Sequence, residues 1–240
     1  MRQLIEPSAE TLIGIEIFAG LAAEVRTEIA RRCRAAIFGP GETVVSHRDE
    51  STNVYFVVSG TVRVRIDSPT AREVTFRDMG AGQVFGDLSA IDGKPRSAQV
   101  DTREESVLAW MPANVFLDVI TTYPDVTLRV LRQLTFFVRN LSERVVEFST
   151  LGVNNRLHAE LLRLAREHRT ARGDEPRVVI ERFPTHQELA SRISTHREAV
   201  TRELRRLEKA GVIARRSHSV TIEDIAVLEQ MVEEVKGELP

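Results

Sequence analysis

The period of the hydrophobic pattern changes twice along the 240-residue chain, and these changes limit the folds that it can adopt. Residues 8–34 repeat apolar side chains every three or four positions, as helices do. From Gly39 to about Ala109, short valine-rich segments alternate apolar and polar residues between glycines. Short strands at close intervals are typical of a β-roll or barrel. After Pro112 the helical period returns, so the pattern predicts an α+β chain with a jelly-roll-like β-roll followed by helices.

A long helix is predicted from Pro124 to Phe148. Its apolar residues alternate intervals of three and four, the spacing of a coiled-coil seam. The seam positions are Leu131, Leu134, Val138, Leu141, Val145 and Phe148. We interpret this narrow stripe, which charged residues flank, as the contact surface of a homodimer. The alternative is that the same face packs on the chain's own β-roll.

Two helix starts lie ten residues apart in the last third of the chain. Thr185 and Thr195 are each followed three residues later by glutamate, which is the sequence of a capping box. A short helix, a tight turn and a second helix form a helix-turn-helix. The positions predicted to share its core are Leu189, Ala190, Ile193, Val200, Leu204 and Leu207. A strand at Arg177–Arg182 and a hairpin within Val212–Ile222 would add a wing, which makes DNA binding the leading interpretation over a generic charged hairpin.

The charge distribution agrees with a nucleic-acid partner. Residues 154–220 carry 15 Arg and Lys against nine Asp and Glu, although the whole chain has a net charge of −2. Near the start of the second helix, Arg197, Glu198, Thr201 and Arg202 share one face, where arginine can bind guanine and glutamate can accept from cytosine. The other candidate DNA-binding residues are Thr185, His196, Arg205, Arg215 and Arg216. The three arginines of this set are expected to contact DNA phosphates.

A phosphate site is predicted between Phe85 and Ala98. Gly86 lets a ligand approach the backbone closely, and a short helix at Leu88–Ile91 can direct N–H groups toward an anion. Arg96 offers two parallel donors to a phosphate, and Ser97 and the Ala98 backbone can add further donors. The alternatives are that Asp87 merely caps the short helix and that Arg96 is a surface residue.

This segment, FGDLSAIDGKPRSA, resembles the phosphate-binding cassette of cyclic-nucleotide-binding domains. With the helix-turn-helix behind it, the chain resembles the CRP/FNR family of bacterial regulators over about residues 14–222. The resemblance implies a sensor domain at 1–112, a dimerisation helix at 113–149 and a winged helix-turn-helix at 150–240. It implies cAMP and/or cGMP as the allosteric ligand, with Asp87 at the ribose 2′-hydroxyl and no other cofactor. The ligand-binding residues that it implies are Gly86, Asp87, Leu88, Ser89, Arg96, Ser97, Ala98, Arg77, Met79, Leu141 and Ser142.

Several positions depart from the family pattern. Asp87 stands where the family usually has glutamate, and Leu141 with Ser142 replaces the Thr-Ser pair that reads adenine in cAMP-responsive members. Arg77 stands where a small polar residue is usual near the base, and it could donate to guanine O6 and N7. We therefore hypothesise that the pocket accepts cGMP as well as cAMP. Arg197, Glu198 and Arg202 align with the trio that reads a TGTGA-type half-site, which implies palindromic double-stranded DNA, with RNA polymerase as a candidate further partner.

Other classes of function have less support. The single cysteine, Cys33, excludes an internal disulfide and a cysteine-ligated cluster, and His47 is the only histidine of the β-segment, which disfavours a metal-dependent enzyme. No apolar run is long enough to cross a membrane, and the N-terminus has no signal core, so we expect a cytoplasmic protein that is not an enzyme. A haem sensor and a nucleotide-independent regulator of the same fold stay open as alternatives.

Overall fold

The computed structural model describes residues 3–67, 73–168, 176–216 and 219–237. The chain divides into two compact units, residues 1–137 and 138–240, and the boundary falls within one long helix. Across the described part of the chain, no helix combines the length and apolar character needed to span a bilayer.

The N-terminal segment is not the continuous helical stretch that the sequence pattern predicts for residues 8–34. It contains helix α1 (Ala9–Ile13), a 3₁₀ turn (Glu16–Phe18) and helix α2 (Ala23–Arg31). Gly14 is the C-cap of α1, and Gly20 turns the chain with a φ of 82° between the 3₁₀ turn and α2. The apolar period persists across these breaks because Leu12, Phe18 and Ile29 all enter the same core.

Two antiparallel sheets form the β-roll, so the predicted α+β fold class is confirmed. Their strands are β1 (Leu4–Ile5), β2 (Arg34–Phe38), β3 (Thr43–Val45), β4 (Val54–Ser59), β5 (Val62–Asp67), β6 (Glu73–Met79), β7 (Val84–Phe85), β8 (Gln99–Thr102) and β9 (Ser106–Met111). One sheet has the order β1-β2-β9-β4-β7 and the other β3-β8-β5-β6. Val54 and Phe56 of β4 are fully buried on the same face, as the period of two requires. Helix α3 (Asp87–Asp92) follows β7, and α4 (Ala113–Thr122) follows β9.

Helix α5 (Pro124–Thr150) contains all six predicted seam residues. Its first turns bury Val126 and Val130 in the core of the first unit, together with Phe18, Phe56 and Phe116. Leu134 is half-buried against that core. The other five seam residues are 39–64% exposed.

The second unit combines helices with a small sheet. It contains α6 (Val153–His168), β10 (Val178–Ile180), α7 (His186–Arg192), α8 (Arg197–Lys209), β11 (Ile213–Arg215), β12 (Val220–Ile222) and α9 (Ile225–Gly237). The strands pair in the order β10-β12-β11. All six apolar positions predicted for the helix pair are buried in one core, so this prediction is confirmed. Residues 169–175, and two residues within the predicted hairpin, 217 and 218, lie outside the described residues.

Of the two predicted capping boxes, one forms. Thr185 Oγ1 accepts from the Glu188 backbone N–H at 3.2 Å, and the Thr185 N–H donates to Glu188 Oε2 at 2.8 Å. The second box, at Thr195, is wrong. The N-cap of α8 is His196, without a side-chain bond, because the Thr195 N–H donates to the Ala190 carbonyl at 2.9 Å across the turn.

Replacement of Gly60 by alanine should destabilise the β-roll by about 2 kcal/mol or more. Gly60 joins β4 to β5 with a φ of 84°, and a Cβ there would lie 2.3 Å from Ser106 Oγ and 2.7 Å from the Glu105 carbonyl oxygen. Chemical denaturation followed through Trp110, the only tryptophan, which lies in β9, measures this change. Gly39→Ala is the matched control, since a Cβ on Gly39 meets nothing within 4 Å. Equal stability of the two variants would contradict the prediction.

Candidate functional site

Gly86 begins the predicted phosphate-binding segment and is fixed by two constraints. It is the N-cap of α3 with a φ of 83°, a conformation that favours glycine. A Cβ at this position would also lie 2.5 Å from Arg96 Nη1 and 2.7 Å from the Asn53 carbonyl oxygen. The glycine therefore lets the Arg96 guanidinium and the segment before β4 close against the start of α3.

Arg96 lies inside the fold, with 3% of its surface exposed, so the alternative that it is a surface residue is wrong. Its guanidinium donates to Ser51 Oγ at 3.2 Å from Nε, to the Gly86 carbonyl at 3.1 Å from Nη1 and to the Asn53 carbonyl at 2.8 Å from Nη2. All three acceptors are neutral oxygens. Two of the five guanidinium N–H groups remain beyond these three bonds.

The charge of Arg96 is met only at longer range. Burial lowers the pKa of Arg96, and the charges of Tyr55, Asp49 and Asp87 oppose this shift. A buried cation is normally paired with an anion that repays its desolvation. A site that holds a guanidinium by neutral oxygens is therefore suited to an anionic ligand.

Asp87, the first residue of α3, is 7% exposed, and its carboxyl interacts electrostatically with two arginines. Burial raises the pKa of its carboxyl, while the N–H groups of Asp87 and Leu88 and the charges of Arg77 and Arg96 act in the opposite direction. Asp87 thus lies inside the first turn of α3, whose N-cap is Gly86 without a side-chain bond, so Asp87 is not the cap of this helix. Among the other predicted residues, Ser89 is buried, Ala98 is half-buried, and Leu88 and Ser97 are exposed.

Arg77 and Met79, on β6, line a cleft in the same unit. The cleft has a volume of about 460 Å³ and is also lined by residues of α5, including Gln133, Phe136 and Phe137. The Arg77 guanidinium lies 3.9 Å from the centre of the Phe137 ring, and its Nη2 is 3.5 Å from Met79 Sδ. The structure thus groups Gly86, Asp87 and Arg96 in one place and Arg77 with Met79 in this cleft.

The exposed face of α8 carries the predicted base-reading residues. Arg197, Glu198, Thr201, Arg202 and Arg205 line one shallow concavity of about 540 Å³. The opposite face of the helix buries Val200, Leu204 and Leu207. His196, Arg215 and Arg216 are exposed, and so is Thr185, whose hydroxyl caps α7.

Two family models match the chain, and each covers one of these sites. Residues 36–123 match the cyclic nucleotide-binding domain, and residues 155–231 match the Crp-like helix-turn-helix domain. The chain belongs to the CRP/FNR family of transcription regulators. Members of the CRP/FNR family are DNA-binding regulators rather than enzymes, which confirms the predicted class.

Relatives of this CRP/FNR chain align over almost their full length. The chain is 26% identical to a CRP-like cAMP-activated global transcriptional regulator of Mycobacterium tuberculosis over 215 residues, which cover 90% of this chain and 95% of the relative. It is 28% identical to the cyclic AMP receptor protein of Thermus thermophilus over 221 residues, 91% and 97% of the two chains. A crystal structure of a CRP-family regulator from Thermus thermophilus, 25% identical, superposes with a TM-score of 0.65 over 82% of this chain and 96% of that chain.

The departures of this CRP/FNR member at the base-reading pair fall in the second unit. Leu141 and Ser142 are both exposed on α5, and Ser142 Oγ donates to the Val138 carbonyl of the preceding turn at 2.9 Å. Among the described residues, no group of three His, Cys, Asp or Glu side chains could hold a metal ion.

Sequence reasoning missed three groups of residues at these sites. Ser51 and Asn53 bind Arg96, but Asn53 does so through its backbone, which leaves no trace in the sequence. Arg206, on the exposed face of α8, pairs with Glu203, which is buried and also bonds His158 Nε2 at 2.6 Å. His186 contacts both α8 and the hairpin, and its position directly after the capping threonine was the only available indication.

Proposed function

We propose that this protein is a homodimeric transcription regulator whose affinity for palindromic DNA is controlled by a cyclic nucleotide. The ligand is cAMP, and cGMP is accepted as well. The observation that carries the proposal is the buried guanidinium of Arg96, which is bound by neutral oxygens beside Gly86 and the buried carboxylate of Asp87. A cyclic phosphate carries one permanent negative charge, which this cation would neutralise. The relative from Mycobacterium tuberculosis, described as cAMP-activated, supports the same class of ligand.

In this proposal Arg96 binds the phosphate through its two remaining N–H groups or by exchanging a carbonyl partner. The exposed Ser97 hydroxyl and the Ala98 N–H would add donors, while Leu88 and Ser89 in α3 would line the same site. Asp87 would accept from the ribose 2′-hydroxyl. Because Asp is one methylene shorter than the usual Glu, this bond would be longer or would pass through a water molecule.

The purine would extend toward Arg77 and Met79. A guanidinium that already stacks on Phe137 is held in one plane, so it presents its donors in a fixed direction. That arrangement supports a bidentate bond to guanine O6 and N7. Leu141 offers no polar atom to adenine, which leaves Ser142 of the other protomer as the polar residue of the family's base-reading pair.

The exposed seam on α5 supports the homodimer. Leu131, Val138, Leu141, Val145 and Phe148 would pack against their counterparts on a second chain and exclude water from this apolar stripe. A dimer would present two copies of α8 to half-sites about one helical turn apart. The nucleotide would favour that arrangement by binding it more tightly than the alternatives. We assign residues 1–112, 113–149 and 150–240 to sensing, dimerisation and DNA binding.

A nucleotide-independent regulator is the second candidate, and one observation favours it. The three protein partners of Arg96 by themselves join residues 51–53 to the start of α3. In such a protein the guanidinium would have a purely structural role. The two candidates differ in whether DNA affinity depends on an added nucleotide.

Arg96→Lys should abolish the dependence of DNA binding on nucleotide. The lysine keeps the charge but loses the planar fork, so it cannot replace the bonds of Arg96 to Asn53, Gly86 and a phosphate together. We expect cAMP to tighten operator binding by the wild type by about tenfold or more and to leave the variant unchanged. Fluorescence anisotropy with no nucleotide, cAMP and cGMP measures this, and Arg34→Lys, at the exposed first residue of β2, is the matched control. Equal binding by the wild type in all three conditions would favour the second candidate.

Arg77→Ala should weaken cGMP binding about tenfold and cAMP binding much less, because only guanine offers two acceptors to the guanidinium. Calorimetric titration of both nucleotides into wild type, Arg77→Ala and the surface control Arg34→Ala measures the two affinities. The hypothesis about cGMP fails when the Arg77→Ala protein binds cGMP as tightly as the wild type does.

Arg197→Ala should cost about 1–3 kcal/mol of operator binding and relax the preference at one base pair. Arg216→Ala should instead weaken binding to every sequence alike and lower the salt slope by about one. Competition binding against a set of half-site variants separates the two behaviours. A uniform loss for Arg197→Ala would make that residue a phosphate contact.

A further inference from the structure

His186 connects the two parts of the second unit that are proposed to touch DNA. It is the first residue of α7, and it is half-buried. Its Nδ1 lies 2.7 Å from Thr201 Oγ1 on α8, and its Nε2 lies 3.2 Å from Arg215 Nη2 on β11. One imidazole ring therefore joins the helix that carries the base-reading face to the hairpin beside it.

The partners of His186 fix its protonation state. Arginine can only donate, so Nε2 must accept from Arg215 and must carry no proton. The Thr201 hydroxyl donates to the Arg197 carbonyl at 2.9 Å, so its oxygen is free to accept from Nδ1. The bonds run in one direction, from Arg215 through a neutral ring with its proton on Nδ1 to Thr201 and then to the backbone of α8.

The surroundings of the ring keep it neutral. Burial lowers the pKa of His186, and so do the charges of Arg215 on β11 and of Arg197 and Arg205 on α8. A protonated ring would carry an N–H at both nitrogens, so two donors would face each other across the contact with Arg215. Protonation would therefore release the arginine from the ring.

We propose that His186 is a positioning residue for the DNA-binding face: as a neutral ring protonated at Nδ1, it holds Arg215 in a fixed place relative to α8 so that this arginine is prearranged for a DNA phosphate. The inference rests on the proposed function, in which α8 and the hairpin contact DNA. Arg215 is exposed and sits at the end of a three-residue strand, so without the ring its side chain would sample many rotamers and lose entropy on binding.

Two substitutions separate the two ends of the ring. In His186→Gln the amide oxygen can take the place of Nε2 and accept from Arg215. In His186→Asn the amide N–H can take the place of Nδ1 and donate to Thr201, but nothing reaches Arg215. We expect operator affinity within about twofold of wild type for the glutamine variant and about threefold to tenfold weaker for the asparagine variant, similar to the loss of one phosphate contact in Arg215→Ala.

Combining each substitution with Arg215→Ala tests whether the effect passes through this arginine. The His186→Asn, Arg215→Ala double variant should bind no more weakly than Arg215→Ala alone, whereas Arg215→Ala should keep its full effect in the glutamine background. His168→Gln, on α6, is the matched control and should bind as the wild type does. Equal losses for the two His186 variants, additive with Arg215→Ala, would overturn the proposal in favour of a packing role.

The protonation state can be read without DNA. Nitrogen-15 correlation spectra of the histidine-labelled protein at neutral pH should show a neutral ring protonated at Nδ1, assigned to His186 by its disappearance in His186→Gln. A ring protonated at Nε2, or a charged ring, would refute the proposal and leave the proposed function intact. Failure of the wild type to bind any DNA would refute the proposed function itself, and the role of His186 in binding with it.

Discussion

The charge of Arg96 lies inside the β-roll of the first unit, where it joins separate segments of the chain. Three neutral oxygens from two chain segments bind the guanidinium, and the absence of a Cβ on Gly86 gives it room. Removing a cation from water costs several kcal/mol unless an anion repays it. The dipoles of these oxygens offset part of the desolvation free energy, and a bound phosphate would supply the missing opposite charge. The buried charge of Arg96, which destabilises the fold by its desolvation, is thus also what makes the site suited to an anion.

The buried charged side chains described in the second unit differ from Arg96, because each of them has an oppositely charged or hydrogen-bonded side chain in direct contact. Glu160 is buried with Arg163 and Arg192, Glu147 pairs with Arg163 at 3.0 Å, and Arg144 donates to the Arg192 carbonyl at 2.7 Å. These bonds tie the end of α5 to α6 and α7, and breaking such a buried pair typically costs about 3–5 kcal/mol. Direct bonds between charged groups therefore link the last turns of α5 to the two helices that follow it in the second unit.

The sequence predicted the parts of the fold that depend on repeated short-range patterns. The period of two identified the roll, and the positions of Leu189 and Leu204 identified the core of the helix pair, since burial of one face imposes the period. The capping box at Thr195 failed because its N–H is used across the turn by Ala190, a tertiary contact that competes with the local motif. Ser51 and Asn53 lie 45 and 43 positions before Arg96, and Arg215 lies 29 positions after His186, so no local pattern encodes these contacts. The residue types of the cassette could be recognised, but the burial of Arg96 could not.

Asp87 and Arg77 are coupled through charge, and this coupling bears on how the pocket would treat either nucleotide. The charges of Arg77 and Arg96 both oppose the upward shift that burial imposes on the pKa of Asp87. A phosphate on Arg96 would cancel the influence of that arginine, and Arg77 would then be the main cation that keeps Asp87 ionised. An ionised Asp87 accepts the ribose hydroxyl, whereas a protonated one is a weaker acceptor. Arg77 would therefore support the ribose bond of any cyclic nucleotide in addition to its proposed contact with guanine. If removal of Arg77 weakens the binding of both nucleotides to the same extent, its role is electrostatic. If it weakens the binding of cGMP selectively, its role is the contact with the base.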